Sequence, residues 1–393
     1  MATPAQRTNT WILDEWYDQA VAGTTGGYTG YDQQLWIWGR GNQGQLDNSI
    51  AADRSSPLQV GSNAGFIGAN SAPRSSYGIK SDNTLWTWGG NNNYGTLGLN
   101  SETEYSSPVQ VPGSWTSAIG SGGENAAIGV KTSGALFTWG SQDYGGLGQN
   151  NNTKYISPAQ VGTDTDWATG FDKYYMQGHT TWALKTDGSL WAWGYAGGGS
   201  LGLSNTSEHK SSPTQVGTAT NWSVVGRNYG GANAVINEDG ELWVSGGNQY
   251  GSLGQGNTTP SNVLVQIPGT TWKCQSGADD CMLATKTNGT LWVWGRIANG
   301  QLGLNSKTQY NSPVQVPGTT WDRVVSGYAQ VLASKTDGTL WSWGVNNYGE
   351  LGQNQQNPDG YSSPAQIGTD NDWVSNEKTF SGLYQTFFGF KPI

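Results

Sequence analysis

Apolar residues in this chain fall into short alternating runs separated by glycine-rich turns. The clearest run is Leu-Trp-x-Trp-Gly, which starts at Leu35, Leu85, Leu136, Leu190, Leu242, Leu291 and Leu340; Phe137 replaces the first Trp of the third copy and Ser245 the second Trp of the fifth. Successive copies lie 50, 51, 54, 52, 49 and 49 residues apart, a near-constant period of the kind that marks propellers, solenoids and repeat arrays. In a strand the two Trp point to one face, and the Leu and central residue to the other. Both faces are therefore apolar, which suits a sheet held between two neighbouring sheets, as a propeller blade is.

Each period predicts four strands. A Trp-led strand (Trp115, Trp167, Trp222, Trp272, Trp321, Trp373) precedes one that ends near a Lys or Asn, such as Lys131, Lys185 or Asn237. The pairs Ser133-Gly134, Asp187-Gly188, Asp239-Gly240, Asn288-Gly289 and Asp337-Gly338 follow as hairpin tips, because a type I′ turn needs φ > 0 at both central residues. Leu-Trp-x-Trp-Gly is the third strand. A Gly-x-Leu-Gly turn and a variable loop lead to the fourth, Ser-Pro-x-Gln-Val or -Ile. The expected fold class is all-β, a seven-bladed β-propeller of four-stranded blades. Of the 21 Trp, only Trp11, Trp16 and Trp182 have no place in this scheme.

The chain ends complement each other. Residues 35–60 lack a preceding strand pair, and residues 373–391 read as a strand pair with nothing after it. N- and C-terminal strands are therefore expected to share one composite blade, each end giving its inner or outer pair, so that no edge stays open. Residues 11–21 could instead supply the missing strands, but Ile12, Leu13, Trp16, Tyr17, Ala20 and Val21 recur at helical spacing. They predict a short acidic amphipathic helix with Ile12, Leu13, Trp16, Tyr17 and Val21 as a docking face, followed by a glycine-rich linker. The division is residues 1–30 as an N-terminal extension and 31–393 as the propeller.

Composition narrows the function. With 35% apolar residues, 60 Gly and 21 Trp, the core must rest on aromatic area, about 150–250 Å² per buried Trp. A net charge of −9 argues against nucleic acid as a partner. No run approaches the ~20 apolar residues of a membrane span, and the start shows no basic segment followed by an apolar core, so neither membrane insertion nor secretion is expected.

Leu-Trp-x-Trp-Gly, Gly-x-Leu-Gly, Ser-Ser-Pro-x-Gln-Val and the Trp-led strand before Asp-Gly-x-Leu-Trp resemble the repeats of the regulator of chromosome condensation family over residues 30–393. The resemblance implies a seven-bladed propeller that displays loops, and no single activity. The family includes a chromatin-docking guanine-nucleotide exchange factor, a plant ultraviolet receptor, β-lactamase inhibitor proteins and extracellular or viral repeat proteins. The exchange factor's projecting wedge has no counterpart, since no interval exceeds 54 residues. Its basic tail is replaced by Arg7 followed by Asp14, Glu15 and Asp18, and seven arginines are too few for the receptor's Trp-Arg cluster.

Candidates for chemistry are sparse. His179 and His209 stand in different repeats without a partner motif. Cys274 and Cys281 flank a short turn, where they read as two buried free thiols or a cross-strand disulfide. Asp279 and Asp280 beside them lack a third soft ligand. The expectation is no catalytic residue, no metal and no cofactor, hence not an enzyme.

Binding remains. The loops before the fourth strand are rich in Asn, Thr, Ser and Tyr and emerge on one side of the ring. Tyr105, Tyr155, Tyr310 and Tyr361, with Glu102 and Lys307, are the candidate partner-binding residues, because Tyr with Ser and Asn suits adaptable recognition. The same loops also read as solvated turns whose Tyr rings shield blade edges. The segment WILDEWYDQAVAG resembles leaders of marine bacteriophage structural proteins, which implies a virion component that contacts other virion proteins or a host surface molecule. The alternative is a cytoplasmic regulatory propeller that binds a protein partner.

Overall fold

Each Leu-Trp-x-Trp-Gly run is a strand, and each is third in an antiparallel series of four, as in Trp272–Ala278, Cys281–Lys286, Leu291–Gly295 and Tyr310–Val316. Seven such sheets make the seven blades of a propeller. The computed structural model describes residues 33–392, except 47–51, 61–64, 91, 121–124, 229–230, 279, 307, 377, 379–380 and 384. The expected helix with Ile12, Leu13, Trp16, Tyr17 and Val21 lies outside these residues, as do Lys307 and Asp279.

The composite blade closes the ring as its ends predict. Ser381–Leu383 and Thr386–Pro392 are its first two strands, Gln33–Gly39 and Arg54–Gln59 its last two, with Leu35 opposite Phe390 and Ile37 opposite Phe388. First strands of neighbouring blades touch one another, as Trp272–Ala278 does Trp321–Ser326, so they surround the axis. The C-terminus thus gives the inner pair. At the sixth blade, Arg227–Asn228 adds a short parallel strand beside Ser276 and Gly277.

Alternation explains the burial. In the third strands the Leu and central residue are buried and the first aromatic is half-buried, while Trp38, Trp88, Trp139, Trp193, Trp294 and Trp343 in the fourth position are fully enclosed. Each of these indoles donates from Nε1 to the Gly-x-Leu turn of the preceding blade (Gly-x-Leu-Gly in all but the first, which reads Gly44-Gln45-Leu46-Asp47): Trp88 to Gln45 O at 2.9 Å, Trp139 to Thr96 O at 2.8 Å, Trp193 to Gly146 O at 3.0 Å, Trp294 to Ser252 O at 2.8 Å, Trp343 to Gln301 O at 2.9 Å and Trp38 to Glu350 O at 2.9 Å. Ser245 cannot do this in the fifth blade. Trp182, from the fourth blade's second strand, donates to the equivalent Ser200 O at 3.0 Å instead.

One local reading changes, and another narrows to one of its two alternatives. Trp167 makes only an isolated bridge with Lys185, and the fourth blade's first strand is Tyr174–Gln177. The intervening residues bury Phe171 and turn at Gly170, whose φ of 133° is open to glycine. Cys274 faces Thr285 and Cys281 faces Ala278 across the strand pair, so the cysteines are not neighbours; both are buried free thiols.

Because strand direction alternates, every blade has two ends. The turn rim carries the hairpin tips and the starts of the first strands. The loop rim carries the connections between first and second strands, the Gly-x-Leu-Gly turns and the starts of the fourth strands.

Candidate functional site

The turn rim repeats one arrangement. Lys80, Lys131, Lys185, Lys286, Lys335 and Lys391 stand within one residue of the ends of the second strands of six blades, and each ammonium lies over the first aromatic of the third strand, from 3.9 Å at Trp341 to 5.7 Å at Trp36. The indoles Trp86, Trp191, Trp292 and Trp341 donate to the hydroxyls of Thr84, Ser189, Thr290 and Thr339 at 2.8–2.9 Å. Those hydroxyls donate in turn to Asp82, Asp187, Asn288 and Asp337 at 2.6–2.7 Å. The hydroxyl bonds hold the carboxyls of Asp82, Asp187 and Asp337 below the usual range. In the fifth blade Asn237 and Glu241 replace the lysine and hydroxyl, and Trp243 donates to Glu241 at 3.3 Å. These polar groups are engaged by the fold.

The loop rim has a repeated part and an unrepeated part. After each described Gly-x-Leu-Gly turn one N–H reaches the fourth strand of the next blade: Asn100 to Ile156 O, Asn150 to Ser211 O, Ser204 to Asn262 O, Gly256 to Asn311 O, Asn305 to Ser362 O and Asn354 to Ser55 O, at 2.6–2.9 Å. All six residues have φ between 47° and 74°, where Gly and Asn are the tolerated choices. Much of the loops' Asn content is therefore structural.

The sequence-predicted tyrosines sit at these strand starts. Tyr105, Tyr155, Tyr310 and Tyr361 face Gly89, Gly140, Gly295 and Gly344 across the sheet and are half-buried, with Tyr155, Tyr310 and Tyr361 packed on the core. Glu102 is exposed and ion-paired with Lys154 of the next blade, which also donates to Asn93 O at 3.1 Å.

Other rings are more open. Tyr94, Tyr144 and Tyr195 are 40%, 43% and 40% exposed. Tyr94 and Tyr144, like Tyr250 and Tyr348, immediately precede the Gly-x-Leu-Gly turn, so Tyr-Gly-x-Leu-Gly was the signal for them in the sequence. The residue that follows Trp-Gly in the next blade meets this ring. Arg40 lies 5.0 Å over Tyr348, Arg296 lies 5.0 Å over Tyr250, and Tyr195 stands 5.1 Å from Tyr144. The corresponding residue for Tyr94 is Ser141.

At the junction of the third and fourth blades these rings gather both histidines. Tyr144 stands 5.1 Å from His179 and 4.7 Å from His209, and His209 stacks on Tyr195 at 5.1 Å. Both histidines belong to the fourth blade, which corrects their placement in different repeats, and they share one tyrosine of the third. His179 Nδ1 and Gln142 Oε1 are 3.0 Å apart, and His209 Nδ1 accepts from the Ala196 N–H at 3.1 Å, which leaves the His209 ring proton on Nε2. Beside them an open depression of about 610 Å³ is lined by Asp143, Tyr144, Asn150, Asn151, Asn152, His209 and Ser211. Its chemistry is that of flat rings, amides and one carboxylate. Among the described residues neither histidine hydrogen-bonds a hydroxyl or thiol, and no three His, Cys, Asp or Glu side chains group as metal ligands. Among those residues no helix is long and apolar enough to cross a membrane.

One loop-rim carboxyl is fully buried. Burial pushes Glu350 up to about 7, against hydrogen bonds from the Tyr348 N–H at 2.8 Å and Gln330 Nε2 at 3.1 Å.

Comparison with known proteins agrees with this architecture. The model of the "Regulator of chromosome condensation (RCC1) repeat" matches residues 82–126, 288–333 and 337–376. Human WBSCR16 is 18% identical with a TM-score of 0.78, covering 92% of this chain and 99% of its own. Prp20p of Saccharomyces cerevisiae, described with its binding properties to Gsp1p and histones, is 16% identical with a TM-score of 0.74 over 92% of each chain. Yeast RCC1 (Prp20) bound to Kap60 is 15% identical with a TM-score of 0.77, covering 100% of this chain and 96% of that one. The human E3 ubiquitin-protein ligase HERC2 is 29% identical over 116 residues, 27% of this chain and only 2% of that protein's length. At these identities the structural likeness shows the fold alone. Three stretches of the chain therefore match the regulator of chromosome condensation (RCC1) repeat, and the whole is a seven-bladed β-propeller.

Proposed function

We propose that the protein is a non-catalytic ring that binds a protein partner on its loop rim. The observation that carries this reading is the exposed patch of Tyr144, Tyr195 and His209, which stands where the repeated chemistry of the blades breaks. Exposed aromatics beside amides and a carboxylate are the materials of protein recognition. The reading has precedent in Prp20p, which has binding properties to Gsp1p and histones and is seen bound to Kap60. Tyr105, Tyr155, Tyr310, Tyr361 and Glu102 lie on the same rim, in the second, third, sixth and seventh blades. Two settings suit such a ring. A virion component facing other virion proteins or a host surface molecule is favoured by the likeness of residues 11–23 to phage leaders. A cytoplasmic regulator is favoured by the partial sequence match to HERC2 and the fold shared with Prp20p.

Site-specific photo-crosslinking in native extract tests the binding reading. Benzoylphenylalanine in place of Tyr144 or Tyr195 is expected to give covalent adducts with a partner, and the same group at Asp187 on the turn rim is expected to give none. Adducts from Asp187 alone, or from no position, would sink the proposal.

A further inference from the structure

We propose that the ring of Tyr94 is a seat for an arginine side chain of the partner, so that the loop rim recognises a basic, arginine-bearing segment. The inference rests on the loop rim being the binding surface and adds the chemistry of what binds there. The protein itself supplies the template. Four blades place a tyrosine directly before the Gly-x-Leu-Gly turn, and in two of them the next blade lays an arginine over that ring: Arg40 on Tyr348 and Arg296 on Tyr250, both at 5.0 Å from the centroid. The third, Tyr144, meets Tyr195 and the two histidines. At the fourth, Tyr94, the residue in the arginine position is Ser141, too short to reach across a ring face. Tyr94 is 40% exposed and carries no ring or cation contact among the described residues.

A tyrosine face attracts a guanidinium through its quadrupole, and arginine is the more frequent cation in such pairs. The overall charge of the chain favours the same sign. The chain carries a net charge of −9, and exposed Asp143 stands beside the patch on the next turn. Lys154, the cation bonded to Asn93 O, is already paired with Glu102. An incoming arginine would reproduce at Tyr94 what Arg40 and Arg296 do within the chain.

The test uses the full chain and a labelled peptide, Gly-Ser-Gly-Arg-Gly-Arg-Gly-Ser-Gly, titrated by fluorescence anisotropy at about 150 mM salt, where long-range attraction is screened. Tyr94→Leu is expected to weaken binding about fivefold, the factor for one exposed cation–π contact, and Tyr94→Phe to retain it. Ser141→Arg is expected to weaken binding as much while leaving the tyrosine in place, because the chain then fills its own seat. Tyr348→Leu, whose ring already holds Arg40, is expected to change nothing. A citrulline peptide, equal in shape but uncharged, is expected to bind as weakly to the wild type as the arginine peptide does to Tyr94→Leu. The inference fails if the arginine peptide does not bind, if citrulline serves as well, or if Tyr94→Leu and Ser141→Arg bind like the wild type. If any of these occurs while crosslinks still form at Tyr144 and Tyr195, the binding rim stands and only its arginine chemistry is wrong. Tyr94→Phe and Ser141→Arg keep the test decisive should Tyr94→Leu fold poorly.

Discussion

The turn rim and the loop rim are ends of the same strands, yet their polar residues lead different lives. On the turn rim, Lys, Trp, hydroxyl and Asp recur from blade to blade and bond one another, so that the six lysines near the ends of the second strands lie over indole or phenyl faces. On the loop rim, the backbone latch recurs but the side chains beside it do not: arginine, tyrosine or serine follows Trp-Gly in turn at Arg40, Tyr195, Arg296 and Ser141. Residues repeated in register are engaged by the fold. Those that change from blade to blade include the exposed rings of Tyr94, Tyr144 and Tyr195, and it is there that the proposed partner would be read.

The largest effect should come from the turn rim. Trp321 is 2% exposed, meets Trp341 and Trp343 edge-on at 6.0 Å, and carries Lys335 at 4.7 Å. Trp321→Ala is expected to cost about 3–5 kcal/mol in urea unfolding, as other large-to-small core changes do. A loss below about 1 kcal/mol would mean that this rim is no more structural than the other.

Glu350 is the loop rim's exception, because it is buried within the blade junction. Its folded pKa is raised by burial to about 7, so the native state holds a proton that the unfolded chain releases above the ordinary value of 4.5. Its contribution is therefore fully present below pH 4.5 and is lost as pH rises through about 7, amounting to roughly 3 kcal/mol by pH 8. Glu350→Gln should remove that part of the slope. The amide suits the site: Gln45 and Gln301 occupy the same turn position and accept the same backbone bond, from Gln43 N at 2.9 Å and Asn299 N at 2.7 Å. Equal slopes for the two proteins, measured by unfolding at several pH values, would show that Glu350 is ionised in the fold.

A smaller effect isolates the lysine stack. Lys335 lies 3.9 Å over Trp341, and Lys335→Ala is expected to cost about 1 kcal/mol through the lost cation–π contact and the lost packing of its stem. Lys335→Met keeps the stem and should recover part of it. Full recovery by Met would assign the stabilisation to packing alone.

The fold was legible because its signals are local and sevenfold: alternation gave the strands, Asp-Gly pairs the hairpins, and the unmatched ends of the chain the composite blade. Features that cross a blade boundary were hidden. Trp182 had no place in the repeat because its task is set by Ser245, which lacks the indole that the carbonyls equivalent to Ser200 O receive in the other blades. His179 and His209 gave no sign of meeting, since Tyr144, which joins them, belongs to the preceding blade. The sequence points to the tyrosines of the variable loops, but spacing does not reveal which way a ring leans. Tyr155, Tyr310 and Tyr361 lean inward, whereas the open rings stand one residue before a turn that was read only for its glycines.

The smallest effect on stability should be the most informative one for function. Tyr144 and Tyr195 are 43% and 40% exposed, and their ring contacts are mostly with each other and with the histidines. Replacing both with Ser gives up edge contacts and little buried area, so less than about 1 kcal/mol of stability should be lost. Partner crosslinking from neighbouring positions such as Asn152 should nevertheless fall sharply. The comparison set is Tyr155, Tyr310 and Tyr361 changed together to Ser, which removes rings packed on the core and should lower the melting temperature visibly. If the Tyr144/Tyr195 variant instead melts as early as that triple variant, the open rings are part of the core. The contrast between the rims would then not mark a binding surface. If it melts like the wild type and still crosslinks as well, the surface is free but the partner docks elsewhere, and Tyr94 becomes the next position to probe.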